Sequence, residues 1–203
     1  NKSLNDGEVD ANFFQHQPFF ENDCKENGYD LVNVGGVHIE PFGFYSKTIT
    51  SVDDLADGAT IIISNSVADH GRILSILQDA GLIKLDENVD AINATIENIK
   101  ENPKNLKFEE VKPELLTTVF ENGEGDLVAI NGNYAIQAGL NPTKDAVILE
   151  SADENNPYVN IVACQAGHEN DAKIQALITV LQSDDVKNFI RETWADGSVI
   201  PVE

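Results

Sequence analysis

The sequence predicts an α/β fold, and three observations carry that prediction. Thr60, Ile61, Ile62 and Ile63 form a β-branched run that is apolar on both sides and too short for a globular helix, as a buried parallel strand would be. After a polar turn over Ser64 to Asp69 the period changes. Ile73, Leu74, Ile76, Leu77 and Ala80 recur at three and four, and Gly81 stands where a C′ glycine ends a helix. The same order of strand, polar turn and helix start returns at Leu127 to Ile130, Asn131-Gly132-Asn133 and Tyr134 to Ala138.

From the amino terminus, Asp6-Gly7 marks a turn. Phe13, Phe14, Phe19 and Phe20 bracket Gln15, His16, Gln17 and Pro18, four phenylalanines in eight residues. Aromatic surface with a few hydrogen-bonding tips suits the wall of a small-ligand cleft; the plainer reading makes the phenylalanines core and His16 a satisfied interior or rim histidine. A helix is expected from Pro18 to Asn27, closed by Gly28. Tyr29 to Val34 reads as a strand that Gly35 and Gly36 break. Pro41 and Gly43 then make Val37 to Ser46 an irregular extended segment rather than an ordinary strand. Ser51 caps a short helix over Ser51 to Leu55. Asp69 is the expected N-cap of the helix after the first strand, which puts Gly71 and Arg72 in its first turn. Free N–H groups and a guanidinium at that end suit a carboxylate or phosphate; the plainer reading leaves Arg72 facing water.

Past Gly81, Ile92, Ala94, Ile96 and Ile99 predict a short helix or helical turn ended by Pro103. Leu106 to Val111 alternates as a strand does, and Pro113 opens a helix that dies at Asn122-Gly123. Asn131 sits at the carboxyl end of the second buried strand. It can share a site with Arg72 only if the two strands are parallel neighbours, since ligands of open α/β sheets bind outside the carboxyl strand ends; the plainer reading is an N-cap. Ala146 to Leu149 is a strand and Ser151 to Asn156 an acidic turn. Tyr158 to Cys164 is a further strand interrupted by Asn160, whose polar side chain needs a partner or an exposed face. Ile174, Leu177, Ile178 and Leu181 make an amphipathic helix, and Ser183 caps another carrying Val186, Phe189, Ile190 and Trp194.

Composition narrows function by exclusion. Lys plus Arg total 13 against 35 Asp plus Glu in 203 residues, a net charge of -22. That sign argues against nucleic acid as a partner, because phosphate neutralisation needs basic residues. Met is absent, so Asn1 is expected to be internal to a longer precursor, and no stretch is long and apolar enough to span a bilayer. Cys24 and Cys164 give neither a disulfide framework nor metal spacing, and buried thiols are expected. No phosphate loop, dinucleotide fingerprint or nucleophile elbow occurs, and His16, His38, His70 and His168 are scattered. Acidic residues are too common for any carboxylate pair to be informative. What remains is one guanidinium at a helix start, asparagines at two strand-associated positions, and aromatics with His16. That inventory suits a zwitterion with an apolar side chain, needs no cofactor or metal, and favours a binding protein over an enzyme.

The words DGEVDANFFQH, VHIEPFGFYSK, SVDDLADGATIIISN, GRILSILQDAGLIKL, ENPKNLKF, VAINGNYAIQAGL and PYVNIV span nearly the whole chain in order. Together they resemble the NlpA lipoprotein family, the methionine-type substrate-binding proteins of ABC importers. The resemblance implies a two-lobed periplasmic-binding-protein fold of type II-like character, with ligand between lobes that close on it. It implies a first lobe of residues 1–46 plus 160–203, N-terminally truncated, a second of 47–159, and hinge crossings near 45–50 and 156–161. It also implies that about fifty residues precede Asn1, and a signal and lipidated cysteine beyond them, so that the mature protein is a membrane-anchored lipoprotein of the cell surface or periplasm.

Carried over by position, Arg72 resembles the arginine that pairs with the ligand α-carboxylate. Asn131 and Asn160 resemble the asparagines that hold its amino and carboxylate groups, and Phe14 and His16 the wall near the thioether. The implied partners are L-methionine or a related small zwitterion and the membrane subunits of an ABC permease. Alternatives are a methionine-containing dipeptide as ligand, a small-molecule enzyme using Cys24 or a histidine, and a surface lipoprotein that has lost its ligand.

Overall fold

The structure, a computed structural model, describes residues 1–151 and 156–203. In chain order it begins with α1 (Lys2–Asn5), β1 (Asn12–His16), α2 (Gln17–Asn27), β2 (Leu31–Ile39), β3 (Gly43–Tyr45), β4 (Thr60–Ser64) and α3 (Val67–Asp79). Next come β5 (Lys84–Leu85), β6 (Ile99–Glu101), β7 (Lys107–Val111), α4 (Leu116–Glu121), β8 (Leu127–Ile130), α5 (Gly132–Gln137), α6 (Pro142–Asp145) and β9 (Ile148–Leu149). The chain ends in β10 (Asn160–Gln165), α7 (Ala172–Leu181), α8 (Asp184–Thr193) and β11 (Ile200–Pro201). No helix among the described residues is long and apolar enough to cross a membrane.

Contacts divide the chain into two compact units. One comprises Asn1–Glu40 with the described part of Ala152–Glu203, the other Pro41–Ser151. The first unit holds an antiparallel sheet in the order β1-β10-β2-β11. Its strands bury residues on both faces. Ile161 and Ala163 of β10 pack with Leu4, Phe20 and Leu31, while Val162 between them packs with Val37 and Ile178.

The second unit is built on a five-stranded sheet in the order β7-β4-β8-β3-β9. Strand β4 lies parallel to β7 and β8, and β3 runs antiparallel to β8 and β9. The isoleucine run of β4 has a direct cause in this arrangement. Ile61 and Ile63 face Ile73, Leu74 and Leu77 of α3, whereas Ile62 faces Leu116 and Phe120 of α4. Alternate side chains point to opposite faces, so a central strand covered on both sides must be apolar at each position.

Several boundaries differ from the sequence expectation. Gly35 and Gly36 do not break β2, which runs through them to Ile39. They occupy crowded places instead: a Cβ on Gly35 would stand 2.7 Å from a terminal carbon of Ile178, and one on Gly36 2.6 Å from Val159. Gly43 to Tyr45 is a fully buried strand rather than irregular chain, because Pro41 falls outside it and leaves its N–H ladder intact. Helix α3 starts after Ser66, not Asp69; the Asp69 carboxylate accepts a hydrogen bond from Ser64 Oγ at 3.1 Å from within the first turn.

The units divide at 40/41 and next to Ser151, earlier than the expected crossings near 45–50 and 156–161. The cause is the pairing of β3 and β9 within the second sheet. Most of the acidic turn expected over Ser151 to Asn156 lies outside the described residues.

Candidate functional site

In the second unit β4 and β8 are parallel neighbours, with Ile61 opposite Leu127 and Ile62 opposite Val128. The condition for Arg72 and Asn131 to stand at the same sheet edge is therefore met. Both follow the carboxyl end of a strand, Asn131 directly after β8 and Arg72 in the second turn of α3. Asn131 caps α5, its Oδ1 accepting from Asn133 N–H at 3.1 Å. Its amide nitrogen makes no hydrogen bond among the described residues, which leaves a donor suited to a carboxylate.

Arg72 does not face water. Only 2% of its surface is exposed, and its guanidinium is gripped by Glu150 at the end of β9. Nε donates to Oε1 at 2.8 Å and Nη2 to Oε2 at 2.5 Å, a two-point contact with a side chain that is itself 8% exposed. Glu150 is held in turn by the Phe42 N–H, which donates to Oε2 at 2.9 Å, while the Glu150 N–H donates to the Phe42 carbonyl at 2.9 Å. The Phe42 ring lies 5.3 Å from the guanidinium carbon, within cation–π range.

Glu150 is the residue that sequence reasoning missed. Its one local signal is a lone carboxylate closing the apolar run Ala146 to Leu149, and 35 acidic residues hide it. Next to Arg72, Gly71 lets the turn over Ala91 to Asn93 lie against α3. A Cβ there would stand 2.4 Å from the carbonyl oxygens of both Ala91 and Ile92. His70 is buried and its Nε2 lies 2.9 Å from the Ser64 carbonyl, with Glu110 at 3.5 Å.

In the first unit His16 on β1 pairs in register with Asn160 on β10, and Asn160 with His38 on β2. His16 is 6% exposed, and its Nδ1 caps α2 by accepting from Phe19 N–H at 3.2 Å. Its ring meets Tyr158 edge-on at 5.3 Å and Phe19 at 6.3 Å. Half-buried Asn160 has a side-chain amide with no hydrogen bond among the described residues. Phe14 is 58% exposed and touches Phe19 edge-on, whereas Phe20 is core. Phe14, His16 and Asn160 are thus gathered on two adjacent strands of the first unit, whereas Arg72 on α3 and Asn131 at the start of α5 follow two adjacent strands of the second.

Cys24 and Cys164 are both free thiols, and burial pushes each above the ordinary thiol range, away from the thiolate a nucleophile needs. No cluster of His, Cys, Asp or Glu among the described residues could hold a metal ion.

A guanidinium and an amide donor thus follow the carboxyl ends of two parallel strands, the place where open α/β sheets receive small ligands. The chain belongs to the NlpA lipoprotein family, whose model matches residues 1–203. It is 57% identical over 203 residues to the methionine-binding lipoprotein MetQ of Bacillus subtilis (strain 168), covering all of this chain and 73% of that one. The crystal structure of a Bacillus subtilis subsp. subtilis str. 168 lipoprotein superimposes with a TM-score of 0.96 at 56% identity, covering 100% of this chain and 81% of the other. A nutrient binding protein from Burkholderia cenocepacia, solved bound to methionine, matches at a TM-score of 0.90 and 39% identity, over 98% of this chain and 82% of its own.

Proposed function

We propose that this protein is the substrate-binding component of an ABC importer and captures methionine for delivery to membrane permease subunits. Arg72 carries the reading: it is a buried guanidinium at a sheet edge where Asn131 offers a second donor, the pair a carboxylate requires. The kinship with proteins named for methionine binding supports the choice of ligand.

In this account the ligand carboxylate meets the Arg72 guanidinium and the Asn131 amide. Asn160 holds the amino end, and Phe14 with the His16 ring meets the thioether, whose polarisable sulfur favours aromatic edges. Capture involves no covalent change. Anchoring by a lipid outside this sequence would keep the protein at the cell surface or in the periplasm.

Calorimetry with L-methionine tests the reading, with methioninol, which lacks the carboxylate, as the control ligand. Saturable binding of methionine that loses at least about 2 kcal/mol, roughly 30-fold, in Arg72→Ala is expected. Equal binding of methionine and methioninol would refute it. A methionine-containing dipeptide that binds more tightly than methionine would move the assignment to the dipeptide.

A further inference from the structure

We propose that Gln15 is a positioning residue of the ligand site: it clamps a bulge in β1 that turns Phe14 out of the strand while His16 stays beside Asn160. The proposal rests on the reading that Phe14 and the His16 ring meet the thioether, and it adds what holds that wall in place.

Strand β1 carries one residue more than its partner. Phe13 stands opposite Val162 and Gln15 opposite Ile161, so Phe14 has no place in the ladder. The extra residue resets the alternation of faces. Asn12 pairs with Ala163 and Gln15 with Ile161, and both of those partners pack toward Leu4 and Phe20, so the two amides point to that side. Three residues apart on a regular strand, they would point to opposite sides. Released from the ladder, the Phe14 ring is 58% exposed and meets Phe19 edge-on at 6.4 Å, and His16 meets the same ring at 6.3 Å.

Gln15 holds the bulge from the opposite face. It is 4% exposed, and its whole amide is engaged. Nε2 donates to Asn12 Oδ1 at 3.1 Å and to Asn1 Oδ1 at 2.7 Å, and Oε1 accepts from Asn1 Nδ2 at 2.7 Å. Asn12 Nδ2 donates to the same Asn1 Oδ1 at 2.8 Å, so residues on both sides of Phe14 close on one side chain. Asn1 Nδ2 also donates to Asp23 Oδ2 of α2 at 2.7 Å. An apolar residue could fill this place beside Leu4 and Phe20 without any partner. The three amides satisfy one another only in the bulged register, since a regular strand would part Asn12 from Gln15 and leave buried polar groups unpaired.

The test measures L-methionine affinity by calorimetry in the wild type, Phe14→Ala, Gln15→Leu and the double variant. Leucine fills the space and removes every donor and acceptor. Phe14→Ala is expected to weaken binding about tenfold, the upper range for a sulfur–aromatic contact. Gln15→Leu should weaken it about as much, and the double variant little more than either, because both changes remove the same wall. A merely structural role would leave the affinity of the folded protein unchanged. A second readout needs no ligand: a nuclear Overhauser contact between the Phe14 and Phe19 rings is expected in the wild type and lost in Gln15→Leu.

Gln15→Leu that binds methionine as the wild type does, or keeps the ring contact, overturns the proposal while a costly Phe14→Ala leaves the thioether reading standing. A double variant whose loss is the product of the two single losses also overturns it. If Gln15→Leu does not fold, Asn12→Ala, at a half-buried position, carries the same comparison with the same deciding outcomes. A silent Phe14→Ala, or a wild type that binds no methionine, overturns the thioether reading and the positioning role with it.

Discussion

Removing the arginine of the Arg72–Glu150 pair should cost folding stability as well as ligand. Arg72→Ala deletes two charge-assisted hydrogen bonds, at 2.8 and 2.5 Å, and leaves the Glu150 carboxylate with the Phe42 N–H. At an effective dielectric of about 20 and a separation of about 4 Å the lost attraction is about 4 kcal/mol. Breaking buried pairs by removing one partner costs about 3–5 kcal/mol, because the orphaned charge stays desolvated. We expect a loss in that range for Arg72→Ala.

The diagnostic variant is the double substitution. Arg72→Ala with Glu150→Gln leaves a neutral amide that still accepts from Phe42 N–H, so at least half of the loss should return. Urea unfolding followed by far-UV circular dichroism measures both variants at one slope. Hydrogen exchange across α3 locates the loss in the second unit, away from the single tryptophan, Trp194, which lies in the first. A cost below about 1 kcal/mol for the single variant, or a double variant no more stable than the single, would show that the pair is worth no more than a surface ion pair.

Gly71→Ala should lose about 2–3 kcal/mol in thermal unfolding, since its Cβ would meet two backbone carbonyls at 2.4 Å that cannot turn aside. Asn131→Asp keeps the acceptor that caps α5 but loses the amide donor. Its stability should stay within about 0.5 kcal/mol while methionine affinity falls, whereas Asn131→Ala loses both. Tyr45→Phe should be neutral or stabilising by about 1 kcal/mol, because the Tyr45 hydroxyl is buried with no hydrogen-bond partner among the described residues. Native Cys164 should resist iodoacetamide at neutral pH. Its thiol is pushed upward by burial, so any reaction should rise with pH only beyond the ordinary thiol range, and intact-mass analysis reads it directly.

What the sequence reveals and hides follows from the range of each interaction. The strands β4 and β8 are legible because burial on both faces writes itself into consecutive residues, Ile61 to Ile63 and Leu127 to Ile130. The edge they share follows from the fold class, and so do the places of Arg72 and Asn131. Gly35, Gly36 and Gly43 mislead because glycine carries two meanings. Here it admits a neighbouring side chain rather than ending a strand. His16 is foreseen as either wall or satisfied histidine, and its Nδ1 does cap α2, a local bond over three residues that periodicity does not encode.

The partner of Arg72 is the harder case. Glu150 lies 78 residues away and is one acid among 35, so no pattern of spacing could select it. The boundaries of the two units are displaced for a related reason. Strands β3 and β9 are three and two residues long, and their membership in the second sheet depends on partners far along the chain.

A crystal structure of the protein grown with L-methionine tests the central claim most directly. The ligand carboxylate is expected within about 3.2 Å of an Arg72 guanidinium nitrogen, with Glu150 still holding Nε and Nη2. Methionine bound with its carboxylate on other groups, and Arg72 contacting protein alone, would contradict it.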